Sequence, residues 1–237
     1  MTKNHLKRIA APKTWPVARK ISKFITKPNP GKHKLSHSIA LAVVFRELLH
    51  LAKSTREIKY MLNNQEILVD AKRVKDHRYM MGLMDILSIP KLNKHYRILL
   101  NTKGRLQLIE IDDKKAKLKP CKVAAKKLYK GKIQLSLFDG RTILTDKNDI
   151  KVDDTVVIEL PSQKIIGHLK LEKSSLVLLT EGKHIGDNGK VEDFKFKGKL
   201  TATTVLIKSS STDQTFETYT KYAFVIGKDK PIIKLIE

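Results

Sequence analysis

Residues 96–111 read YRILLNTKGRLQLIEI. Two apolar runs, Tyr96–Leu100 and Arg105–Ile111, flank Asn101-Thr102-Lys103-Gly104. Short runs rich in β-formers around a polar turn ending in Gly predict a β-hairpin. From this point on, the period is mostly two. Further strands are expected at Ile133–Leu137, Thr142–Leu144, Val156–Leu160, Ile165–Leu169, Leu176–Leu179, Val191–Phe196, Thr203–Ile207 and Tyr222–Ile226. Asp139-Gly140 and Asp187-Asn188-Gly189 are expected turns between them. Strands at this spacing, without helices between them, indicate small barrels and not a parallel α/β sheet.

Upstream the pattern changes. Residues 38–51, SIALAVVFRELLHL, predict a buried helix with Ser38 as N-cap. Ser54-Thr55-Arg56-Glu57 has the S-x-x-E spacing of a capping box. A second helix is expected over Thr55–Leu62, burying Ile58, Met61 and Leu62 and stopping at Asn63-Asn64. Ile67–Val69 and Met84–Ile89 read as short strands around a basic turn, Lys72-Arg73-Val74-Lys75. The expected fold class is therefore α+β and multi-domain.

The 237 residues hold 48 Lys+Arg against 24 Asp+Glu, a formal charge of +24. Residues 1–46 have 11 basic side chains and no acid; residues 114–132 have nine lysines and no acid. The remaining segments are nearly neutral. Acid-free stretches have no internal counter-charge, so they read as arms or loops lying against a polyanion. Pro12, Pro16, Pro28 and Pro30 keep the first stretch extended. Trp15 and Phe24 interrupt it as aromatic anchors. Deleting residues 1–36 is expected to leave the globular part folded.

Several classes are excluded. The longest apolar run, Ile39–Phe45, has seven residues, against the ~20 of a membrane-spanning helix. No apolar stretch follows Lys3, Lys7 and Arg8 as a signal peptide would require. Cys121 is the single cysteine, so no disulfide or cysteine-based metal site forms within the chain. Its neighbours Lys119 and Lys122 favour a thiolate, but no paired His or second Cys accompanies it. His33 and His37 stand four apart, but Pro30-Gly31 and the lack of further ligands argue against a metal. No cofactor, metal, catalytic residue or small-molecule substrate is expected. A soluble intracellular protein fits best.

The residues resemble those of the archaeal and eukaryotic small-subunit ribosomal protein S4e family. In the arm the matching pieces are His5-Leu6-Lys7-Arg8, Ala11-Pro12-Lys13 with Trp15-Pro16, and Lys27-Pro28 with Pro30-Gly31 and His33. Ala52-Lys53-Ser54-Thr55-Arg56-Glu57 through Lys72-Arg73-Val74 resembles the S4-type RNA-binding module, and Gly82–Ile86 also fits the family. Thr180-Glu181-Gly182-Lys183-His184-Ile185-Gly186-Asp187-Asn188-Gly189-Lys190-Val191 is similar to a KOW motif. Acids stand at Glu181 and Asp187, where the family pattern has a glycine and a basic residue.

The resemblance implies an extended basic arm over 1–38 and an S4-type module over 39–95. A central β domain with the lysine block 114–132 follows over 96–174. A KOW-containing, SH3-like β domain spans 175–237. It also implies a structural constituent of the cytoplasmic small ribosomal subunit, with rRNA and neighbouring ribosomal proteins as partners and no membrane. An RNA-modifying enzyme using the same module is the alternative. The catalytic Asp setting of pseudouridine synthases is absent from this sequence.

The expected RNA contacts in the arm are Lys3, His5, Lys7, Arg8, Lys13, Trp15, Arg19, Lys20, Lys23, Lys27, Lys32 and His33. In the module they are Ser54, Thr55, Arg56, Lys59, Asn63, Lys72, Arg73 and Lys75. Arg56 and Lys59 share a helical face, and a helix N-terminus favours phosphate. The lysine block contributes Lys114, Lys115, Lys122, Lys126, Lys127 and Lys130, suited to sequence-independent contact as point charges. Gly182, Gly186 and Gly189 allow a tight KOW turn, from which Lys183, His184, Asn188 and Lys190 are expected to donate.

Overall fold

The computed structural model describes residues 4–146, 148–195, 203–210, 214–228 and 230–233. The chain divides into two compact units. One comprises Met1–Leu99 with Gly104–Lys117, the other Leu100–Lys103 with Leu118–Glu237. The architecture is α+β and mostly β, as expected.

In the first unit, the arm follows an extended path with one short pairing, β1 (Leu6–Lys7) with β2 (Phe24–Ile25). It is anchored, not loose. Trp15 is 2% exposed, and its indole N–H donates to the Ser38 carbonyl at 2.6 Å. Arg19 donates to the carbonyls of Ile9, Ala11 and Pro12. The Leu106 N–H donates to the Thr14 carbonyl at 2.7 Å. Arg8, 3% exposed, meets the Glu47 carboxylate at 2.8 Å. The missing counter-charge thus comes from the first acid after the acid-free stretch. Because Trp15, Ile25 and Arg8 are buried, removing residues 1–36 strips core from this unit, which corrects the expectation that the rest would stay folded.

Residues 38–51 do not form one helix. Ser38–Ala40 is strand β3, and Leu41–Val43 is a single turn, α1, continued by a wide π turn over Val44–Leu48. All of Ser38–Phe45 is buried, so no polar face remains to mark a helical period. The Ser38 hydroxyl donates to the Lys34 carbonyl at 2.8 Å and does not cap α1. The second helix, α2, runs Thr55–Asn64. Its capping box is present: Ser54 Oγ accepts from the Glu57 N–H at 3.2 Å, and Glu57 Oε2 accepts from the Lys53 N–H at 2.9 Å. Ile58 and Leu62, one turn apart, are fully buried.

Strands β4 (Leu68–Val69), β5 (Lys72–Arg73), β6 (Met80–Gly82), β7 (Ile86–Ile89), β8 (Lys94–Leu100) and β9 (Leu106–Ile111) follow. β3 pairs with β6, and the other five form a sheet in the order β5-β4-β7-β8-β9. The hairpin read at residues 96–111 is β8-β9. The basic turn 72–75 is partly a strand, since the chain reverses earlier, at Asp70-Ala71 with φ of 51° and 60°. Met84, expected in a strand, has φ 67° and lies in the turn before β7.

The short helix α3 (Asp113–Ala116) precedes the second unit. That unit holds two five-stranded antiparallel sheets. The first comprises β10 (Leu118–Tyr129), β11 (Lys132–Leu137), β12 (Thr142–Thr145), β13 (Thr155–Glu159) and β14 (Ile165–Leu169), ordered β12-β11-β10-β13-β14. The second comprises β15 (Leu176–Leu179), β16 (Asn188–Lys195), β17 (Thr204–Ser209), β18 (Thr215–Tyr219) and β19 (Ala223–Gly227), ordered β18-β17-β16-β15-β19. It surrounds a core of Val177, Leu179, Val191, Val205, Ile207, Ala223 and Val225.

The lysine block is therefore mostly the 12-residue strand β10, not a loop. Lys119 is fully buried, with its Nζ 3.0 Å from Asp139. Lys122, 5% exposed, lies 3.0 Å from Asp153 and donates to the carbonyls of Thr220, Lys221 and Ala223. Acids distant in sequence supply the charge balance that the block lacks. Asn188-Gly189, expected as a turn, opens β16, with Gly189 paired to both Val177 and Ser209.

Candidate nucleic-acid interface

The expected contact residues sort by exposure. Arg8, Trp15, His33 and Lys122 are buried, so their polar atoms serve the fold and are not available to an external phosphate. His33 Nε2 lies 3.1 Å from both oxygens of the buried Asp85. Lys32, half-buried, is engaged by Asp70 at 2.8 Å. Lys3 lies outside the described residues. His5, Lys7, Lys13, Lys20 and Lys23 are exposed, while Arg19 and Lys27 are half-buried.

The module residues converge. α2 holds Arg56, Lys59 and Asn63 on its exposed side, with Ser54 exposed at its N-cap and Thr55 half-buried. The β4-β5 hairpin exposes Lys72 and Arg73, with Lys75 just beyond. One contact joins the two: the Arg73 guanidinium donates to the Asn63 carbonyl at 3.2 Å. Arg73 thereby extends the basic stripe of α2. The field of Lys59 is felt next door. Burial, with the Lys59 charge adding to it, holds the His77 pKa below its ordinary value. Glu57, the acid on this helix, reaches back along the surface to the helix start, where the Lys53 N–H and the Ser54 hydroxyl hold its carboxyl below the usual range. The stripe is left positive. Sequence reasoning missed Tyr60, 68% exposed and one turn beyond Arg56; its place at i+4 from Arg56 was the available signal.

In the second unit, Lys127 and Lys130 are exposed, whereas Lys126 donates to the Asn148 carbonyl and side chain at 2.7 and 2.8 Å. Lys114 and Lys115 are exposed on α3 of the first unit. Burial pushes the Lys122 pKa down, and Asp153 only partly restores it. At Asp139 burial pushes up, but Lys119 and Arg141 outweigh it and hold the carboxyl below its usual range.

The KOW-like loop joins β15 to β16. Two of its glycines are packing devices. A Cβ on Gly186, at φ +86°, would stand 1.8 Å from the Asn101 carbonyl oxygen, and one on Gly189 would stand 2.3 Å from that of Lys208. Gly182 is exposed and would meet only the Tyr222 ring at 3.7 Å. The His184 ring stacks on Phe216 at 4.0 Å, with Nδ1 3.7 Å from Asp187. Lys183 and Lys190 are exposed and Asn188 is half-buried. The loop and the start of β16 thus present two exposed lysines, with the loop's imidazole already partnered.

Among the described residues there is no cluster of three metal-ligating side chains, and no helix is long and apolar enough to cross a membrane.

Comparison with known proteins places the chain in a family. Residues 92–165 match the model described as ribosomal family S4e, and residues 2–36 match the RS4NT domain. The small ribosomal subunit protein eS4 of Methanocella arvoryzae is 44% identical over 235 residues, covering 99% of this chain and 98% of that protein. Its counterpart in Archaeoglobus fulgidus is 41% identical, covering 99% of each. The crystal structure of 30S ribosomal protein S4e from Thermoplasma acidophilum superposes with a TM-score of 0.70 at 29% identity, covering 83% of this chain and 99% of that one. End-to-end identity of this order, with the arm and the central β region both matched, makes the chain a member of the ribosomal S4e family.

Proposed function

We propose that the protein is a structural constituent of the small ribosomal subunit, working in the cytoplasm and binding rRNA there beside neighbouring ribosomal proteins. The observation that carries this reading is the 44% identity along the whole chain to a small-subunit protein. The charge distribution supports it. Folded RNA is recognised largely through shape, phosphates and 2′-hydroxyls, and rigid clusters of exposed cations suit that task. Three such clusters are present: the exposed arm lysines, the Arg56/Lys59/Arg73 stripe with Lys72 and Lys75, and Lys127 with Lys130. The buried Arg8, Trp15, His33 and Lys122 support these surfaces from within. Sucrose-gradient sedimentation of cell lysate tests the reading. Comigration with the small subunit after a high-salt wash is expected. A chain found wholly in ribosome-free fractions overturns it.

A further inference from the structure

The β10-β11 hairpin carries an exposed aromatic that no catalytic or packing need explains. Its register pairs Tyr129 with Lys132 and Lys127 with Gln134, and β12 adds Leu144 opposite Gln134. Side chains two apart on a strand share a face, so Lys127, Tyr129, Lys132 and Leu144 lie on one side of the sheet. Tyr129 is 49% exposed and Leu144 53%, and both lysines are exposed. The turn is Lys130-Gly131 with φ of 48° and 77°, the two left-handed residues of a type I′ turn that holds a hairpin stiff. A Cβ on Gly131 would meet nothing within 4 Å, so the tip stands clear. The Lys130 ammonium lies 5.5 Å over the Tyr129 ring. From Leu118 to Leu137 there is no acidic residue.

Burying Tyr129 against a neutral protein would strand these lysines, whereas a nucleotide satisfies both parts. A base has a face for the ring, and its phosphates reach the ammonium groups. We infer that this sheet face binds an unpaired RNA nucleotide, with Tyr129 stacking on the base while Lys127, Lys130 and Lys132 hold the flanking phosphates. The inference rests on the rRNA-binding reading and adds to it a preference for single strands at this site.

The test uses the full chain with two probes, a 12-nucleotide oligoadenylate and a 12-base-pair RNA duplex. Tyr129→Ala is expected to weaken oligoadenylate binding about tenfold, within the range for one stacked base, and to leave duplex binding unchanged. Tyr129→Phe is expected to bind like the parent, and so is Leu128→Ala on the opposite face. Photo-crosslinking of a 4-thiouridine-substituted 12-mer is expected to label the peptide containing Tyr129. Equal loss on both probes, or no loss with crosslinks elsewhere, overturns the inference. Unchanged oligonucleotide binding with failed subunit incorporation assigns the face to a protein neighbour and also overturns it. If the unmodified chain binds neither probe, this inference falls, while the rRNA reading is decided by the sedimentation test.

Discussion

The Arg8 guanidinium lies 2.8 Å from the Glu47 carboxylate, 39 residues away, and that pair closes the acid-free stretch onto the fold. Burial pushes Glu47 up, but Arg8 and Arg46 outweigh it and hold its pKa below the usual value. Glu47→Gln leaves a buried cation uncompensated and is expected to cost about 3 kcal/mol at pH 7. The sign in pH follows from the lowered folded-state value. The stabilisation is complete above the unfolded value of about 4.3 and fades as pH falls through the folded one. Urea unfolding of parent and variant should therefore diverge at neutral pH and converge in acid. Equal stabilities at pH 7 would mean that Arg8 is satisfied by its other partners alone.

Trp15 is the single tryptophan of the chain, so its emission reports on the arm. A blue-shifted native spectrum is expected from its burial. Trp15→Ala should cost about 3–5 kcal/mol, the range for removing a large aromatic from a core. A red-shifted native spectrum, or a variant with parental stability, would show the arm undocked in solution.

Arg56 and Lys59 should each contribute one phosphate contact. Arg56→Ala and Lys59→Ala are expected to reduce the slope of log affinity against log salt by about one unit each. Parental slopes in both variants would leave these side chains as solvated helix surface. Arg73→Ala removes the contact to Asn63 as well as a cation, so its loss should exceed that of either.

Gly186→Ala should destabilise the protein by more than the roughly 1–2 kcal/mol of a left-handed alanine, because its methyl would meet the Asn101 carbonyl. Gly182→Ala, at φ +99° but with only the Tyr222 ring nearby, should show the backbone cost alone. Thermal unfolding of the two variants separates them. Equal costs would deny Gly186 its packing role.

The hairpin at 96–111 and the capping box at Ser54–Glu57 were legible because each depends on neighbours in sequence. The eight downstream strand segments read from the period of two all overlap strands. What sequence reading missed depends on remote partners. Ser38–Ala40 is a strand because Met80–Gly82 lies beside it. Lys119 and Lys122 enter β10 because Asp139 and Asp153 meet them there. A charge count along the chain cannot show which cations are already matched, so it gives Arg8 and Lys122 as contacts although Glu47 and Asp153 meet them in the fold. Tyr129 lacks the helical spacing that marks Tyr60, and nothing local distinguishes an exposed tyrosine on a strand from a core one.

The hydrogen bond from Leu106 to Thr14 sets an order of events during synthesis. The arm is made before the strand that receives it, Leu106–Ile111, which follows some ninety residues later. At about 5–20 residues per second, that is a wait of roughly 5–20 seconds. Glu47 and Asp70 are made within that interval to meet Arg8 and Lys32, but the exposed lysines of the arm stay accessible. An arm with exposed lysines and no strand yet to dock on is open to any polyanion near it during that interval.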